Sequence, residues 1–154
     1  MSLSKRLEKY SKSNMYPFHM PGHKRMLEGP YGIDMTEVEG VDDLHDPNDV
    51  IAEEQNRLAT LYNAKESFIL VGGSTVGNLS AIYGCCNEGD LVLIQRNSHR
   101  SVYNGVILRH LRIGYIYTQC DENGIYNAVT IDEIEKSIKA NNGEIPKAIV
   151  ITSP

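Results

Sequence analysis

The sequence is short of cysteine and has no long apolar run, and each shortage excludes a class of protein. Among its 154 residues are three cysteines, the adjacent Cys85 and Cys86 and the single Cys120. This set is a poor disulfide framework and lacks the paired C-x-x-C of a zinc site, so we expect free thiols in a reducing compartment. No window approaches the roughly 20 continuous apolar residues that a membrane span needs.

Basic charge is also scarce. The formal net charge is −5, whereas a general nucleic-acid binder usually carries a basic face. The first residues, MSLSKRLEKYSKS, are polar and charged and lack the apolar core of a secretory signal. We therefore expect a cytoplasmic protein with neither nucleic-acid nor membrane partners. Hydrophobic residues at 41% and charged residues at 23% are typical of a soluble globular domain.

An irregular first part precedes an orderly second part. Leucine and tyrosine at helical spacing predict a short amphipathic helix over residues 2–13. Proline and glycine then interrupt residues 14–47 so often that we expect no regular structure there. We interpret residues 1–47 as an N-terminal helix and irregular arm, and residues 48–154 as an α/β domain.

Apolar periodicity predicts alternating elements in that domain. They are helix 48–64, strand 67–71, helix 75–86, strand 91–95, helix 99–111, strand 113–118, helix 130–143 and strand 148–152. This order is typical of a mainly parallel sheet with flanking helices, which binds ligands beyond the carboxyl ends of its strands. Because such a strand usually leads into further structure, the ending KAIVITSP indicates a domain truncated at its C-terminus.

The helix caps in this domain are also readable. Asn48 is a plausible N-cap for the first helix. Thr130 with Glu133 has the spacing of a capping box, and Gly143 is a typical helix stop.

The loop Gly72-Gly73-Ser74-Thr75 lies where a ligand is expected. Glycines permit close backbone approach, hydroxyls can donate hydrogen bonds, and the amides of a helix N-terminus favour an anion. The loop is neither a P-loop nor a GxGxxG turn. Because serine and threonine are also common N-caps, a phosphate site and a packing turn both stay open on these residues alone.

His99 follows the strand predicted at 91–95. A histidine there could stack on a ligand, orient it or hold a proton. Alternatively, Asn97 or Ser98 caps the next helix and His99 is an ordinary residue of its first turn.

Two polar segments lie in the arm. His19 and His23 have the spacing of a helical metal pair, but Pro21 and Gly22 between them break a helix, so we predict no metal site.

The other segment is the acidic run that contains Asp42, Asp43, His45 and Asp46. It lacks the ordered spacing of a calcium loop. It is either a solvated loop with an Asp-Pro turn or an acidic loop beside a cationic substrate.

Five segments occur in an order that resembles the Orn/Lys/Arg decarboxylase family. They read HMPGHK, DDLHDP, LVGGSTVGNLSAI, NSHRSVYNG and VITSP. Members of that family are pyridoxal-phosphate (PLP) enzymes with an aspartate-aminotransferase-like fold. The resemblance runs from about Lys5 to Pro154, and it corresponds to the N-terminal portion of the family's major domain. The fold it implies is an incomplete fold-type-I PLP large domain.

The resemblance implies roles for particular residues. Ser74 and Thr75, with the backbone of Gly73 and Val76, would hold the cofactor phosphate, and His99 would stack on the pyridine ring.

The resemblance also implies a place for the arm. The segment with His19, Pro21, Gly22, His23 and Lys24 would lie near the active site, at the subunit boundary of a homodimer or higher homo-oligomer. In the family, glycines often follow PGHK, whereas this chain has Arg25-Met26, so the backbone there is expected to differ.

The implied reaction is loss of CO₂ from lysine, arginine or ornithine, giving a polyamine or its precursor. The family's Schiff-base lysine and the aspartate that pairs with the pyridine nitrogen are expected beyond Pro154. Lys136, Lys139 and Lys147 do not match the family's lysine motif, so we expect this chain alone to be inactive.

Three alternatives stay open. One is a stand-alone phosphate- or nucleotide-binding α/β module, which would bind nucleotides but not PLP. Another is a different fold-type-I PLP enzyme, an aminotransferase or a carbon–sulfur lyase, although those do not usually combine HMPGHK with DDLHDP. The last is a structural or regulatory remnant.

Overall fold

The structure is a computed structural model that describes residues 1–153. The chain divides into two compact units, Met1–Ile69 and a second unit that starts at Leu70. The boundary expected at residue 47 stays a prediction, and the helix predicted at 48–64 falls in the first unit. Among residues 1–153, no helix has both the length and the apolar character needed to cross a membrane.

The first unit contains two α-helices and a long irregular connection. Helix α1 is Leu3–Ser11 and helix α2 is Val50–Leu61, which buries Val50 and Ile51. Between the helices there is one 3₁₀ turn, Pro30–Ile33, and otherwise turns, bends and chain without regular structure. This connection agrees with the irregular arm that the prolines and glycines predict.

The second unit alternates helices and parallel strands. Its elements are α3 (Gly73–Cys85), β1 (Leu91–Gln95), α4 (Arg100–Leu108), β2 (Arg112–Ile116), α5 (Ile131–Ala140) and β3 (Ala148–Val150). The sheet order is β2-β1-β3, both pairings are parallel, and Leu93 lies opposite Gly114 and Ile149. The predicted α/β class with a parallel sheet is confirmed.

Strand β1 is buried along its whole length because helices cover both faces of the sheet. Val92 and Ile94 point to one face, and Leu91 and Leu93 point to the other. The first face packs against Ile82, Val102 and Val106 of α3 and α4. The second packs against Ile116 of β2 and against Ile134 and Ile138 of α5.

Helices α3 and α4 lie side by side because of a glycine. A Cβ atom at Gly105 would lie 2.7 Å from Ile82 Cδ1, closer than real Cβ contacts come. The approach matters because the two helix N-termini form the candidate site.

The strand predicted at 67–71 is wrong for this chain. Residues 67–70 have no regular secondary structure and no sheet pairing, and Val71 lies in the turn before α3. Phe68 and Val71 are 71% and 84% exposed. A β-branched and aromatic run favours a strand only where neighbouring strands take up its backbone groups, and no other described strand does so here.

Other elements are confirmed with shifted ends. The strands predicted at 113–118 and 148–152 stop at Ile116 and Val150, and α2 has Asp49 rather than Asn48 as its N-cap.

The capping box of α5 is confirmed. The N–H of Glu133 donates to Thr130 Oγ1 at 3.3 Å, and the N–H of Thr130 donates to Glu133 Oε2 at 2.8 Å. Gly143 has φ +74° and donates its N–H to Ile138 O at 3.0 Å, as a helix stop does.

Candidate functional site

The turn into α3 requires both of its glycines. Gly72 is the N-cap, and a Cβ atom there would lie 2.3 Å from Val76 Cγ2. Gly73 has φ +69°, in the left-handed region that side chains other than glycine disfavour. The two glycines therefore let the chain enter the helix sharply and leave its first turn open.

Ser74 and Thr75 lie in that first turn and do not cap the helix. The N-cap, Gly72, has no side chain, and both hydroxyl residues are exposed without a hydrogen-bond partner among residues 1–153. The N-cap alternative for these two residues is therefore wrong. Helix α3 begins with N–H groups that no side chain among residues 1–153 caps, next to two hydroxyl donors. This is a suitable composition for binding an anion.

The other helices of this unit have side-chain caps. His99 caps α4 and Thr130 caps α5. The open start of α3 is thus a local feature and not the general state of helix ends in this unit.

His99 is the N-cap of α4, which corrects the expectation that Asn97 or Ser98 would cap it. His99 Nδ1 accepts the N–H of Ser101 at 3.2 Å and lies 2.9 Å from Ser101 Oγ. The imidazole is exposed, and its Nδ1 edge is occupied by the helix. The ring faces and Nε2 are thereby left for a ligand.

Asn78 joins the two helix starts. Its Nδ2 donates to Ser101 Oγ at 2.7 Å. Asn78 follows Ser74 and Thr75 by one helical turn, on the same face of α3. The fold thus brings the hydroxyls of α3 and the imidazole of His99 to one edge of the sheet, where parallel α/β proteins bind ligands.

A buried polar set lies at the same carboxyl edge. Gln95, at the end of β1, is 1% exposed, and its Oε1 accepts the N–H of Thr152 at 2.8 Å. The Thr152 hydroxyl donates to Ser98 Oγ at 3.1 Å. The Oδ1 atom of Asn97 is buried there without a partner among the described residues. These bonds hold the end of β1 to the chain that follows β3.

Sequence reasoning missed Asn78, Ser101, Gln95 and Thr152 as parts of this region. The available signal was position: Asn78, Ser101 and Thr152 lie within the quoted segments, and Gln95 ends the strand β1. The sequence could not predict their hydrogen bonds, because Asn78 lies 23 residues from Ser101 and Gln95 lies 57 residues from Thr152.

The HMPGHK segment belongs to the first unit and is held by its own contacts. Lys24 Nζ donates to His19 O at 2.5 Å, and His23 Nε2 lies 3.4 Å from Asp34 Oδ2. Pro21 is half-buried after a cis peptide bond, and Gly22 is exposed. Among residues 1–153, no group of three His, Cys, Asp or Glu side chains is arranged to hold a metal ion.

Arg25 directly follows the HMPGHK segment. Its φ of +61° is left-handed, a conformation that glycine adopts readily. Its guanidinium donates to Tyr10 O at 3.2 Å and to Ser11 O at 3.0 Å. The arginine therefore has a glycine-like backbone, and these hydrogen bonds to the end of α1 stabilise it.

Asp42 anchors the start of α2. Its carboxylate accepts four backbone N–H groups, from Asp43, Asn48, Asp49 and Ile51, at 2.8–3.1 Å. Partial burial would raise the pKa of Asp42, but these four donors outweigh burial and lower the pKa to about 2.

The other two acidic residues of this loop have different surroundings. Asp43 Oδ1 accepts the N–H of His45 at 2.8 Å, and Asp46 is exposed. A substrate-side role for Asp42, Asp43 and Asp46 stays a prediction. Both carboxylate oxygens of Asp42 already accept hydrogen bonds from backbone N–H groups.

The fold is that of an α/β protein in which one helix starts without a side-chain cap near the carboxyl ends of the strands, and comparison with known proteins identifies the family. The profile of the Orn/Lys/Arg decarboxylase family, major domain, matches residues 2–154. This chain belongs to that family, as the five ordered segments indicate.

Individual relatives agree. The chain is 36% identical to the uncharacterized protein YaaO of Bacillus subtilis strain 168, over 99% of this chain and 34% of that protein. It is 26% identical to an arginine decarboxylase of Bacillus cereus, over 96% of this chain and 34% of the relative. The chain thus spans about a third of the length of these relatives.

A solved structure shows the same fold. The lysine decarboxylase LdcF of Francisella novicida superposes with a TM-score of 0.78 at 22% identity, over 98% of this chain and 24% of that one. This likeness is consistent with the incomplete fold-type-I domain expected from the sequence.

Proposed function

We propose that this chain supplies the phosphate- and ring-binding part of a PLP site in a decarboxylase of a basic amino acid, which is lysine, arginine or ornithine. The product would serve polyamine-type metabolism. The observation that carries the proposal is the uncapped start of α3, with two unpartnered hydroxyls one helical turn from the Asn78–Ser101 bond. Membership of the decarboxylase family supplies the reaction class.

The residues present fit the cofactor. The hydroxyls of Ser74 and Thr75, with the first-turn amides from Gly73 to Val76, would hold a phosphate dianion. The exposed face of His99 would lie against the pyridine ring. When bound, PLP accepts the electron pair left by loss of CO₂. The chain's own residues bind and orient the cofactor.

The lysines of the second unit do not fit the role of Schiff-base lysine. Lys147 lies at the opposite edge of the sheet from His99, since its N–H donates at 2.8 Å to the carbonyl of Leu91, the first residue of β1. Lys136 and Lys139 are exposed on α5, across the sheet from α3 and α4. We therefore propose that none of these three lysines is the reactive lysine of the enzyme, and that this chain by itself is inactive.

Borohydride reduction in the presence of PLP, followed by mass spectrometry, tests this. We expect no stoichiometric adduct on a single lysine. Such an adduct, together with decarboxylase activity of this chain, would overturn the assignment.

The proposed assembly is a cytoplasmic homodimer, with the HMPGHK segment at the subunit boundary near the active site. The apolar exposure of this arm supports it. Phe18, Met20 and Met26 are 87%, 66% and 83% exposed, and such a patch is typical of an interaction surface.

Two threonines give a matched test of the phosphate site. Thr75→Ala removes the proposed hydrogen bond to the charged phosphate of PLP. A hydrogen bond to a charged group is worth about 1.5–3 kcal/mol, so PLP affinity should fall about tenfold to hundredfold. In Thr130→Ala a true N-cap is lost, so unfolding should become easier by about 1 kcal/mol while PLP affinity stays unchanged.

The measurements are PLP titration and chemical denaturation, with Ser74→Ala as a second site variant. Pyridoxal, which lacks the phosphate, should bind wild type and Thr75→Ala equally. If PLP affinity is unchanged in both Ser74→Ala and Thr75→Ala, the loop is a packing turn. Binding of nucleotides but not PLP would favour the nucleotide-module alternative.

A further inference from the structure

We infer that Ser101 and Asn78 are positioning residues that set the tautomer of His99, so that the neutral imidazole carries its proton on Nε2. The purpose of this arrangement rests on the proposed function, in which His99 lies against the cofactor. The tautomer itself can be measured without any ligand.

The Nδ1 edge of the His99 ring faces the start of α4. The backbone N–H of Ser101 points at His99 Nδ1 across 3.2 Å. A backbone N–H can only donate a hydrogen bond, so Nδ1 must be the acceptor and cannot carry a proton. In a neutral imidazole the single proton then belongs to Nε2.

The hydroxyl of Ser101 also contacts this edge of the ring. Its Oγ lies 2.9 Å from the same Nδ1 atom, and with Nδ1 bare the hydroxyl must be the donor. The lone pairs of that oxygen then face Asn78, whose Nδ2 donates at 2.7 Å. The chain of donors runs one way, from Asn78 to Ser101 to His99.

Packing restricts the hydroxyl of Ser101. Ser101 is 2% exposed and lies between the packed helices α3 and α4, so its hydroxyl has few alternative partners. The ring is held on its Nδ1 side by two donors, while Nε2–H points away from α4. This is the arrangement by which a neighbouring group fixes the tautomer and orientation of a functional histidine.

The consequence is that the neutral form of the His99 ring has one outward donor. His99 can offer a face to a planar ligand and an Nε2–H to an acceptor oxygen. With the other tautomer, the chain would present a bare Nε2 and could not donate there. Asn78 lies one helical turn from the hydroxyls of Ser74 and Thr75. Its hydrogen bond to Ser101 therefore links the two halves of the proposed site, which are these hydroxyls and the ring of His99.

The test is ¹⁵N NMR of the histidine rings in the ligand-free chain at pH 8, where imidazoles are ordinarily neutral. A His99→Gln variant assigns the His99 signal among the five histidines. We expect a protonated Nε2 and a bare Nδ1 in wild type. A protonated Nδ1 in wild type would overturn the inference without the need for any variant.

Variants test the two positioning residues. In Ser101→Ala the donating hydroxyl is lost, so the ratio of the Nε2–H to the Nδ1–H tautomer should fall about 2- to 10-fold, as expected for one ordinary hydrogen bond. Ser101→Thr keeps a hydroxyl and should restore the ratio. Asn78→Asp can only accept from Ser101, which turns the hydroxyl lone pairs toward Nδ1 and should also lower the ratio.

A buried serine elsewhere provides the control. Ser137 on α5 is 4% exposed and donates to Tyr115 O at 2.9 Å, across the sheet from His99. Ser137→Ala should leave the His99 tautomer unchanged. If Ser101→Ala and Asn78→Asp also leave it unchanged, neither residue sets the tautomer. Loss of PLP binding in Thr75→Ala is a separate readout, so the proposed function and this inference can fail independently.

Discussion

Replacing Asp42 by asparagine keeps the shape of the side chain and removes its charge. The backbone of Asp42 has φ +84°, and asparagine is one of the few residues that tolerate the left-handed region. One carboxylate oxygen becomes an NH₂ group, which can no longer accept. Two of the four backbone N–H groups that now point at the carboxylate lose their acceptor.

The expected magnitude follows from the pKa. The shift from the ordinary value of 3.8 to about 2 corresponds to roughly 2 kcal/mol of preferential stabilisation of the charged form. Asp42 is only half-buried, so solvent screening reduces this figure. We expect Asp42→Asn to lower the free energy of unfolding by about 1–2 kcal/mol at pH 7.

The pH dependence has a definite sign. The folded-state pKa is depressed, so the stabilisation is complete above the unfolded-state value, from about pH 5 upward. It is lost as the pH falls from about 4 through about 2, where the folded carboxylate takes up its proton. The difference between wild type and Asp42→Asn should therefore shrink toward zero across that window.

The assay is urea denaturation followed by far-UV circular dichroism at pH 7, 4 and 2, with amide exchange at Ile51 as a local probe. Asp46→Asn is the matched control, because it removes an exposed charge from the same loop. Equal stability of Asp42→Asn and Asp46→Asn at pH 7 would refute the reasoning. A difference that persists undiminished at pH 2 would show that the charge is not the cause.

Three further substitutions test the second unit. His99→Ala should weaken PLP retention while lowering the free energy of unfolding by no more than about 1 kcal/mol, the value of a lost N-cap; a loss of several kcal/mol with PLP binding intact would make His99 a core residue. Gly105→Ala forces a methyl group against Ile82 and should cost about 1–3 kcal/mol by denaturation. Ile82→Val, which removes the contacting Cδ1 atom, should recover part of that loss, and strictly additive effects would mean that no clash exists. Gln95→Leu leaves the N–H of the half-buried Thr152 without its acceptor and should destabilise the chain by about 1–3 kcal/mol in the same assay.

The sequence by itself determined the alternation of helices and strands. The run LVLIQ is apolar without interruption because β1 is covered on both faces, and that pattern is local. Thr130 and Glu133 are three residues apart, so their capping box was readable too. The five ordered segments identified the family for the same reason, since each is a short contiguous motif.

Other features depended on contacts that no local pattern contains. The segment at 67–71 has strand composition, but pairing decides whether a strand forms, and no other described strand pairs with it. The glycines at 72 and 73 predicted a turn, but only the tertiary structure showed that Ser74 and Thr75 have no hydrogen-bond partner among residues 1–153. Whether a hydroxyl near a helix start accepts a first-turn N–H and so caps the helix depends on the backbone angles there.

The tertiary structure alone decided the surroundings of His99 and Asp42. Asn78 donates to Ser101, 23 residues away in sequence, and the pair meets because Gly105 lets α3 and α4 approach. Asp42 reaches forward to the N–H of Ile51, nine residues away, because its own backbone is left-handed. Hydrogen bonds of this kind depend on where packing places two helices or turns the chain, whereas hydrophobic periodicity records only which face of each element is buried.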